Sequence, residues 1–445
     1  MASDLFTIGS SGIRAARAAL DITAQNIANA STEGYVRRSV ELSELSTAGG
    51  YNRISDISLS GVRVDGIARN ADAFRQGEVR RTGSDAARAG AELAGLESAG
   101  TALEQSKLYP ALTGFEASLQ RLASDPVDPA LRAAVLEDAR TLTRTFAIAA
   151  QGLDEAANGL RFEAQDGTAQ VNLLAGELAR TNVQLIRTRP GTSDQATLLD
   201  QRDSLLDRLS EFTGVSATFN ANQTVEVRLG GSAGPLLVSG ANTASFAMTT
   251  AADGTIGFTL DGNPVALPAG SLAGKAQALV SLRDTRTSLD GLADALISAA
   301  NGAQANGTAL DGTPGPPLFS GSGAAGITVA LSSGSAIATA PAGAPAGSRD
   351  IAGLNALRGA LDSADIAGGT SGLIFSVSSA AAGRRVTSDA LDAIAGSARI
   401  ALEARSGVDL EQEAVNLVRF QQAFQASGRA IQVASDVFDT LLALK

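Results

Sequence analysis

The residues best suited to chemistry lie in two glycine-rich stretches and in recurring carboxylates. Gly230, Ser232 and Gly234 fit the G-x-S-x-G pattern of a serine nucleophile. That pattern works when the serine tops a strand-to-helix turn, with a histidine to take its proton. Here the flanks read as two strands and the 445 residues contain no histidine, so a hairpin turn is expected. Gly321, Gly323 and Gly326 fit G-x-G-x-x-G, but ITVAL follows where a helix N-terminus would have to hold a pyrophosphate. Asp200, Asp203 and Asp207 recur along one helical stretch, as do Asp409, Glu411 and Glu413. A glycosidase would set two such groups across a cleft and hold sugar rings on aromatic residues, yet there is no tryptophan. The acids are expected instead to form a solvated helix face, paired with neighbours such as Arg202 and Arg208. Arg80-Arg81 and Arg384-Arg385 are expected as surface ion pairs. Without cysteine or histidine, disulfides, Cys/His zinc sites and the commonest general base are absent too. No catalytic residue, cofactor or metal is expected.

Composition narrows the rest. A content of 44% hydrophobic residues is ample for cores, and the length allows two to four domains. Thirty-five Lys and Arg against 46 Asp and Glu give a net charge of -11 with no basic run, which argues against nucleic acid and anionic membranes as partners. The opening MASDLFTIGSSG lacks the apolar core of a signal peptide, and no run is long enough for membrane insertion. Export, if it occurs, is expected by a route without a cleaved signal.

The elements organise around the two ends. From 408 to 445 runs an unbroken helical pattern in which Leu410, Leu417, Phe424, Ile431 and Phe438 recur every seven residues. Ala414, Gln421, Gly428, Ser435 and Leu442 lie four residues after each. Asp409 and Gln412 read as a capping box, with Glu411 and Glu413 in the first turn. Near the start, Phe6, Ile13, Leu20 and Ile27 show the same spacing, with the small Gly9, Ala16, Thr23 and Ala30 three residues on. A strict seven-residue repeat is the coiled-coil period, so large residues of one helix can face small ones of the other. Such helices also pack singly on globular cores.

Between the ends, the expected class is mainly α with β insertions: paired terminal coiled-coil helices, an elongated helical bundle and a small antiparallel β domain. The terminal helical domain takes 1–34 and 408–445, with a left-handed turn at Gly34. A β ribbon covers 35–71, with turn residues Gly49, Gly50 and Asn52. The bundle takes 72–213, 269–305 and 349–407, broken at Tyr109-Pro110, Asp125-Pro126, Asp128-Pro129 and Arg189-Pro190. Its run from Pro129 to Arg189 is very long, and Gly152, Gly159, Gly167 and Gly176 invite kinks. A β insertion spans 214–268. Residues 306–348, rich in Gly, Ala, Ser and Pro, are expected as loops with one short hairpin.

These seams carry a resemblance. ARAALDITAQNIANASTEGY, with Asn26, Asn29, Thr32, Gly34 and Tyr35, resembles the opening motif of bacterial flagellar axial proteins of the rod, hook and hook-associated group. SGVDLEQEAVNLVRFQQAFQASGRAIQVASDVFDTLL looks like their C-terminal motif. GVRVDGIARNADAFRQGEVRR at 61–81, LLDQRDSLLDRLSEFTGV at 198–215 and GSLAGKAQALVSLRD at 270–284 are similar to the hook-associated protein 1 family, which joins hook to filament. The resemblance implies export through the flagellar type III apparatus, a cytoplasmic export chaperone at the C-terminal region, and a ring of side-by-side copies at the hook tip. The hook protein and the second junction protein would be its neighbours. Phe6, Ile13, Leu20, Ile27, Leu410, Leu417, Phe424, Ile431, Phe438 and Leu442 are the expected assembly interface. Residues 214–268 and 306–348 are compact where other members carry larger outer domains. Another axial protein, such as a second junction protein or flagellin, would share the terminal helices but not the 61–81 and 198–215 motifs. A secreted hydrolase is disfavoured by the missing histidine and tryptophan.

Overall fold

A computed structural model describes residues 2–32, 34–48 and 57–443. Helix α1 (Ala2–Ala28) leads through Gly34, whose φ of 78° suits glycine, into an antiparallel ribbon of β1 (Arg38–Ala48) and β2 (Ile57–Arg69). Glu33 and the turn expected at Gly49, Gly50 and Asn52 lie outside the described residues. Four helices follow: α2 (Ala73–Ser106), α3 (Leu108–Leu122), α4 (Pro129–Arg187) and α5 (Ser193–Phe212). The break expected at Tyr109-Pro110 falls at Lys107, which adopts a left-handed φ of 59°. Pro110 then occupies the first turn of α3, where its missing N–H costs nothing. Helix α4 runs unbroken for 59 residues through all four of its glycines. Pro129 takes its first position, and Asp128 Oδ1 accepts from the N–H groups of Ala130 (2.7 Å) and Leu131 (3.0 Å).

The strands at 214–268 form two sheets. β3 (Val215–Phe219), β4 (Val225–Leu229), β5 (Leu236–Ser239) and β6 (Asn242–Thr243) pair antiparallel in sequence order. β7 (Phe246–Thr250), β8 (Ile256–Leu260) and β9 (Asn263–Val265) form the other. After α6 (Ser271–Ala305) come β10 (Gly307–Thr308), β11 (Phe319–Ser320), α7 (Gly323–Gly326), β12 (Thr328–Val329) and β13 (Ala340–Pro341). The chain ends with α8 (Ala352–Ser363), α9 (Ile366–Ser406) and α10 (Leu410–Ala443).

Two compact units result, one of Met1–Ser84, Val171–Ser245 and Asp392–Lys445, the other of Asp85–Gln170 and Phe246–Leu391. Within the first, Asn182 of α4 holds the four-stranded sheet. Its Nδ2 donates to Val225 O (2.9 Å) and Gly240 O (3.1 Å), and its Oδ1 accepts from Val225 N (2.9 Å). The second unit has an aliphatic core that includes Leu112, Leu142, Leu153, Leu282, Leu296 and Leu357, with Phe115 edge-on to Phe319. Residues 306–348 are more ordered than the expected loops. β10 pairs with β13, β11 with β12, and Leu318, Phe319, Ile327 and Ile337 are buried. Their staple is Arg132, 1% exposed. Its Nε donates to Pro126 O (2.5 Å), its Nη1 to Ile337 O (2.8 Å) and its Nη2 to Thr339 Oγ1 (2.7 Å), so a buried cation replaces water with carbonyl and hydroxyl oxygens.

In that unit α2 and α6 approach almost to backbone contact. A β-carbon on Gly274 would overlap the Arg88 carbonyl and lie 2.7 Å from Ala91 Cβ, and one on Gly95 would overlap Ala278. Gly274→Leu should therefore wedge the helices apart at a cost of about 1 to 3 kcal/mol. The urea midpoint of the full chain should fall accordingly; an unchanged midpoint would mean that the close approach does not matter.

Candidate assembly interface

The terminal helices pack on each other, small residues inward. A β-carbon on Gly9 would lie 2.6 Å from Ile431 Cγ1, and one on Gly12 2.6 Å from Ser427 Oγ, so the helices meet where α1 has no side chains. Ala15, Ala16, Ala19 and Ile22 of α1 are buried, whereas the described side chains of α10 include only two buried ones, Glu413 and Ala434. Of the seven-spaced large residues, Ile431 sits over Gly9, and the rest range from half-buried to exposed. Ile13, Leu20, Leu417 and Ile431 are half-buried, while Phe6 (53%), Ile27, Leu410, Phe424 and Phe438 (55%) are exposed. The Leu442 side chain lies outside the described residues. Val415, Val418, Val433 and Val437 of α10 are exposed as well. Asp409 caps α10 as expected, accepting from Glu411 N (2.9 Å) and Gln412 N (3.2 Å), but the Gln412 side chain turns to Asn416 rather than back to the cap.

At its base the helix pair is tied to the ribbon by a buried polar network. Asn26 donates to Arg38 O (2.9 Å) and Glu413 Oε2 (3.3 Å), and its Oδ1 accepts from Arg38 N (3.1 Å) and the Tyr35 hydroxyl (2.9 Å). Glu413 is 1% exposed and its other oxygen takes Arg37 Nε at 2.7 Å. From there the ion pairs continue inward: Arg38 to Asp200 (2.7 Å), Arg69 to Asp200 (2.7 Å) and Asp203 (2.9 Å), Arg202 to Asp203 (2.7 Å), and Arg80 to Asp207 (3.3 Å). Gln76 adds a bond to Asp203 (3.0 Å). The expectation of a solvated acidic face fails here, because Arg202 and Asp203 are buried and Asp200 nearly so. Arg80 likewise is buried and not a surface residue; Arg385 pairs with Glu97 at the surface, while the partly exposed Arg384 reaches the buried Glu92. The recurrence of these residues and the ribbon itself are legible in the sequence; the packing of the ribbon over them is not.

Neither glycine motif forms a site. Gly230 to Gly234 is the hairpin between β4 and β5. At G-x-G-x-x-G the backbone N–H groups are already occupied, Gly323 N by Asp294 Oδ1 (2.7 Å) and Ala324 N by Asp290 Oδ1 (2.6 Å), so an entering phosphate would meet carboxylates. Among the described residues no acidic group could hold a metal ion, and no helix is long and apolar enough to cross a membrane.

The family model described as flagellar hook-associated protein FlgK helical domain matches residues 93–319, just over half of the chain. The chain belongs to the FlgK family. Models described as flagella basal body rod protein and flagellar basal body rod FlgEFG protein C-terminal match 6–35 and 402–444. The flagellar hook-associated protein 1 of Salmonella typhimurium is 30% identical over 339 residues, 72% of this chain and 59% of that protein. That of Escherichia coli K12 is 28% identical over 71% and 60% of the two chains, and that of Bacillus subtilis 168 is 27% identical over 56% and 49%. The matched part of the chain thus spans about half to three fifths of the length of these relatives. The flagellar hook junction protein FlgK from Burkholderia pseudomallei, at 16% identity, has the same fold with a TM-score of 0.62 over 74% of this chain and all of that one. The axial-protein opening motif and the motifs similar to hook-associated protein 1 contribute residues to these contacts. The opening motif, 61–81 and 198–215 supply Asn26 and Tyr35, Arg69, Gln76 and Arg80, and Asp200, Arg202, Asp203 and Asp207, all members of the network at the base of the helix pair. The motif at 270–284 supplies Gly274 and Ala278 of the α2–α6 approach.

Charge in the base is unevenly solvated. Burial lifts Asp207 to about 6, with Arg80 and Arg399 opposing the rise and Asp203 adding to it. Its side chain is 42% exposed, but into a recess of about 300 Å3 shared with Tyr35, Arg399 and Glu403 rather than into open solvent. Burial also opposes ionisation of Asp203, yet Arg202 and Arg69 prevail and hold it below the ordinary carboxylate value. Because the folded pKa of Asp207 exceeds its ordinary 3.8, the folded chain holds the extra proton between pH 4 and 6, and stability from this group is lost as pH rises through that window. Relative to the native chain, Asp207→Asn should gain melting temperature steadily from about pH 4 to pH 6. Parallel melting curves across that range would show that Asp207 ionises freely.

Proposed function

We propose that this chain is a structural, non-enzymatic adaptor of the bacterial flagellum that joins hook to filament as a ring of side-by-side copies at the hook tip. The observation that carries the reading is the state of the α1–α10 pair: small residues are spent on the contact within one chain, and Phe6, Phe424, Phe438 and the α10 valines are left outward. Exposed apolar rows on paired helices suit burial against neighbouring copies, and heterologous repetition of one such contact generates rings and helical arrays. In this reading 1–34 and 408–445 line an inner tube. Phe6, Ile13, Leu20, Ile27, Leu410, Leu417, Phe424, Ile431, Phe438 and Leu442 contribute its assembly interface.

Neighbours along the axis would be the hook protein on one side and the second junction protein on the other. Before export through the flagellar type III apparatus, a cytoplasmic chaperone would cover the C-terminal region, whose apolar side chains otherwise face water. The matches at 6–35 and 402–444 are shared with rod proteins and would fit any axial subunit. The match at 93–319 favours the junction.

A strain lacking this chain should make hooks without filaments in electron micrographs, and the native chain should restore them. Phe438→Asp alters an exposed rim residue, so it should leave the isolated fold intact. Buried in an assembly, the unpaired charge costs several kcal/mol, and the variant should be exported without supporting filaments. Full motility with Phe438→Asp would remove this residue from the interface, and intact filaments in the deletion strain would remove the junction role.

A further inference from the structure

A cavity of about 620 Å3 opens in the first unit beside the ionic base. Arg69 and Arg202, each with a side chain 7% exposed, line it, together with the apolar Ile67, Ile186, Leu199 and Phe219. Among the described residues, the ion pairs of the base join Arg37, Arg38, Arg69, Arg80 and Arg202 to Asp200, Asp203, Asp207 and Glu413, one more guanidinium than carboxylate. Among the described residues the Nε–H groups of Arg69 and Arg38 are buried without a hydrogen-bond partner, as is Asp200 Oδ1, and of these only Arg69 lines the cavity. Arg202 is placed to face the cavity, with its guanidinium 4.5 Å above the Phe219 ring, Nη1 donating to Gln223 O (2.7 Å) and the rest of the fork on Asp203. Ile186 and Phe219 are exposed at this site, forming an apolar shelf in front of the charged wall.

We infer that this cavity binds a carboxylate carried on an aliphatic stem. The anion would offset the surplus guanidinium charge and accept a charge-assisted hydrogen bond from Arg69, while the stem lies on the shelf. The same chemistry belongs to a glutamate side chain of a protein segment and to a free short-chain carboxylate. The volume accommodates either.

Calorimetric titration of the full chain distinguishes the sources, with butyrate, butyramide, acetyl-Leu-Glu-Leu-amide and its glutamine counterpart as probes. The glutamate peptide is expected to bind at least about tenfold more tightly than the glutamine peptide. Saturable heat from butyrate but not butyramide points to a free carboxylate, and heat from the glutamate peptide alone points to a protein segment; either supports the site. Ile186→Glu places a carboxylate within the cavity without touching the base, so this variant should keep its far-ultraviolet circular dichroism and lose the binding. Equal binding of the two peptides, no saturable heat from any carboxylate probe, or undiminished binding by a folded Ile186→Glu would show a cavity that holds only water.

Discussion

Glu413 is a carboxylate with almost no access to water, and the attachment of the terminal helices depends on keeping it paired. An ionised group in that position is tolerable only with charge-assisted partners, because the cost of leaving it alone is several kcal/mol. Its partners, Arg37 and Asn26, come from the far end of the sequence, so the first turn of α10 can be buried only when the end of α1 and the start of β1 are in place. Asn26 completes the coupling by bonding both ways to Arg38, whose guanidinium reaches Asp200 on α5. One network thereby ties segments separated by hundreds of residues. Cutting it at Glu413 would leave α10 attached only through the narrow seam above.

That seam is economical in side chains. Glycine and alanine on α1 allow close approach, and Ser11 anchors the same helix to the ribbon by accepting from Val62 N at 3.2 Å, beside Gly61, whose φ of 103° few other residues adopt. Close packing of small residues gives dispersion contact but little buried apolar area. Several large side chains, among them Phe6, Phe424 and Phe438, stay exposed in the single chain. Such a design favours a pair that is ordered at its base and completed by neighbours.

Much of this was legible in the sequence. The seven-residue spacing gave both terminal helices, Gly34 the turn, and Asp409 the cap, since each is a local choice with a local cause. The four helices between 72 and 211 followed from proline and periodicity in the same way. Spacing also anticipated that a large residue of one helix faces a small one of the other, as Ile431 does Gly9; which of the large residues stay exposed, as Phe6 and Phe438 do, was not legible. Asp200 and Asp203 were misread because a charged helix face looks the same in sequence whether water or a β ribbon covers it. Arg132 gave no signal at all, since apart from the nearby Pro126 O its partners are oxygens more than two hundred residues away. For the same reason 306–348 read as loops: its order comes from long-range packing and not from propensity. The long α4 persisted through its glycines because tertiary packing outweighs about 1 kcal/mol per glycine.

The central claim is that the distal halves of α1 and α10 are completed by neighbouring copies. Hydrogen exchange on the verified monomer and on the assembled axis tests it directly. In the monomer, amides of about 5 to 12 and 424 to 440 should exchange far faster than those of α4 and α6, with slower exchange near Asn26 and Glu413, and assembly should slow the distal amides by several orders of magnitude. Protection at the distal ends that is already strong in the monomer and unchanged on assembly would contradict the account.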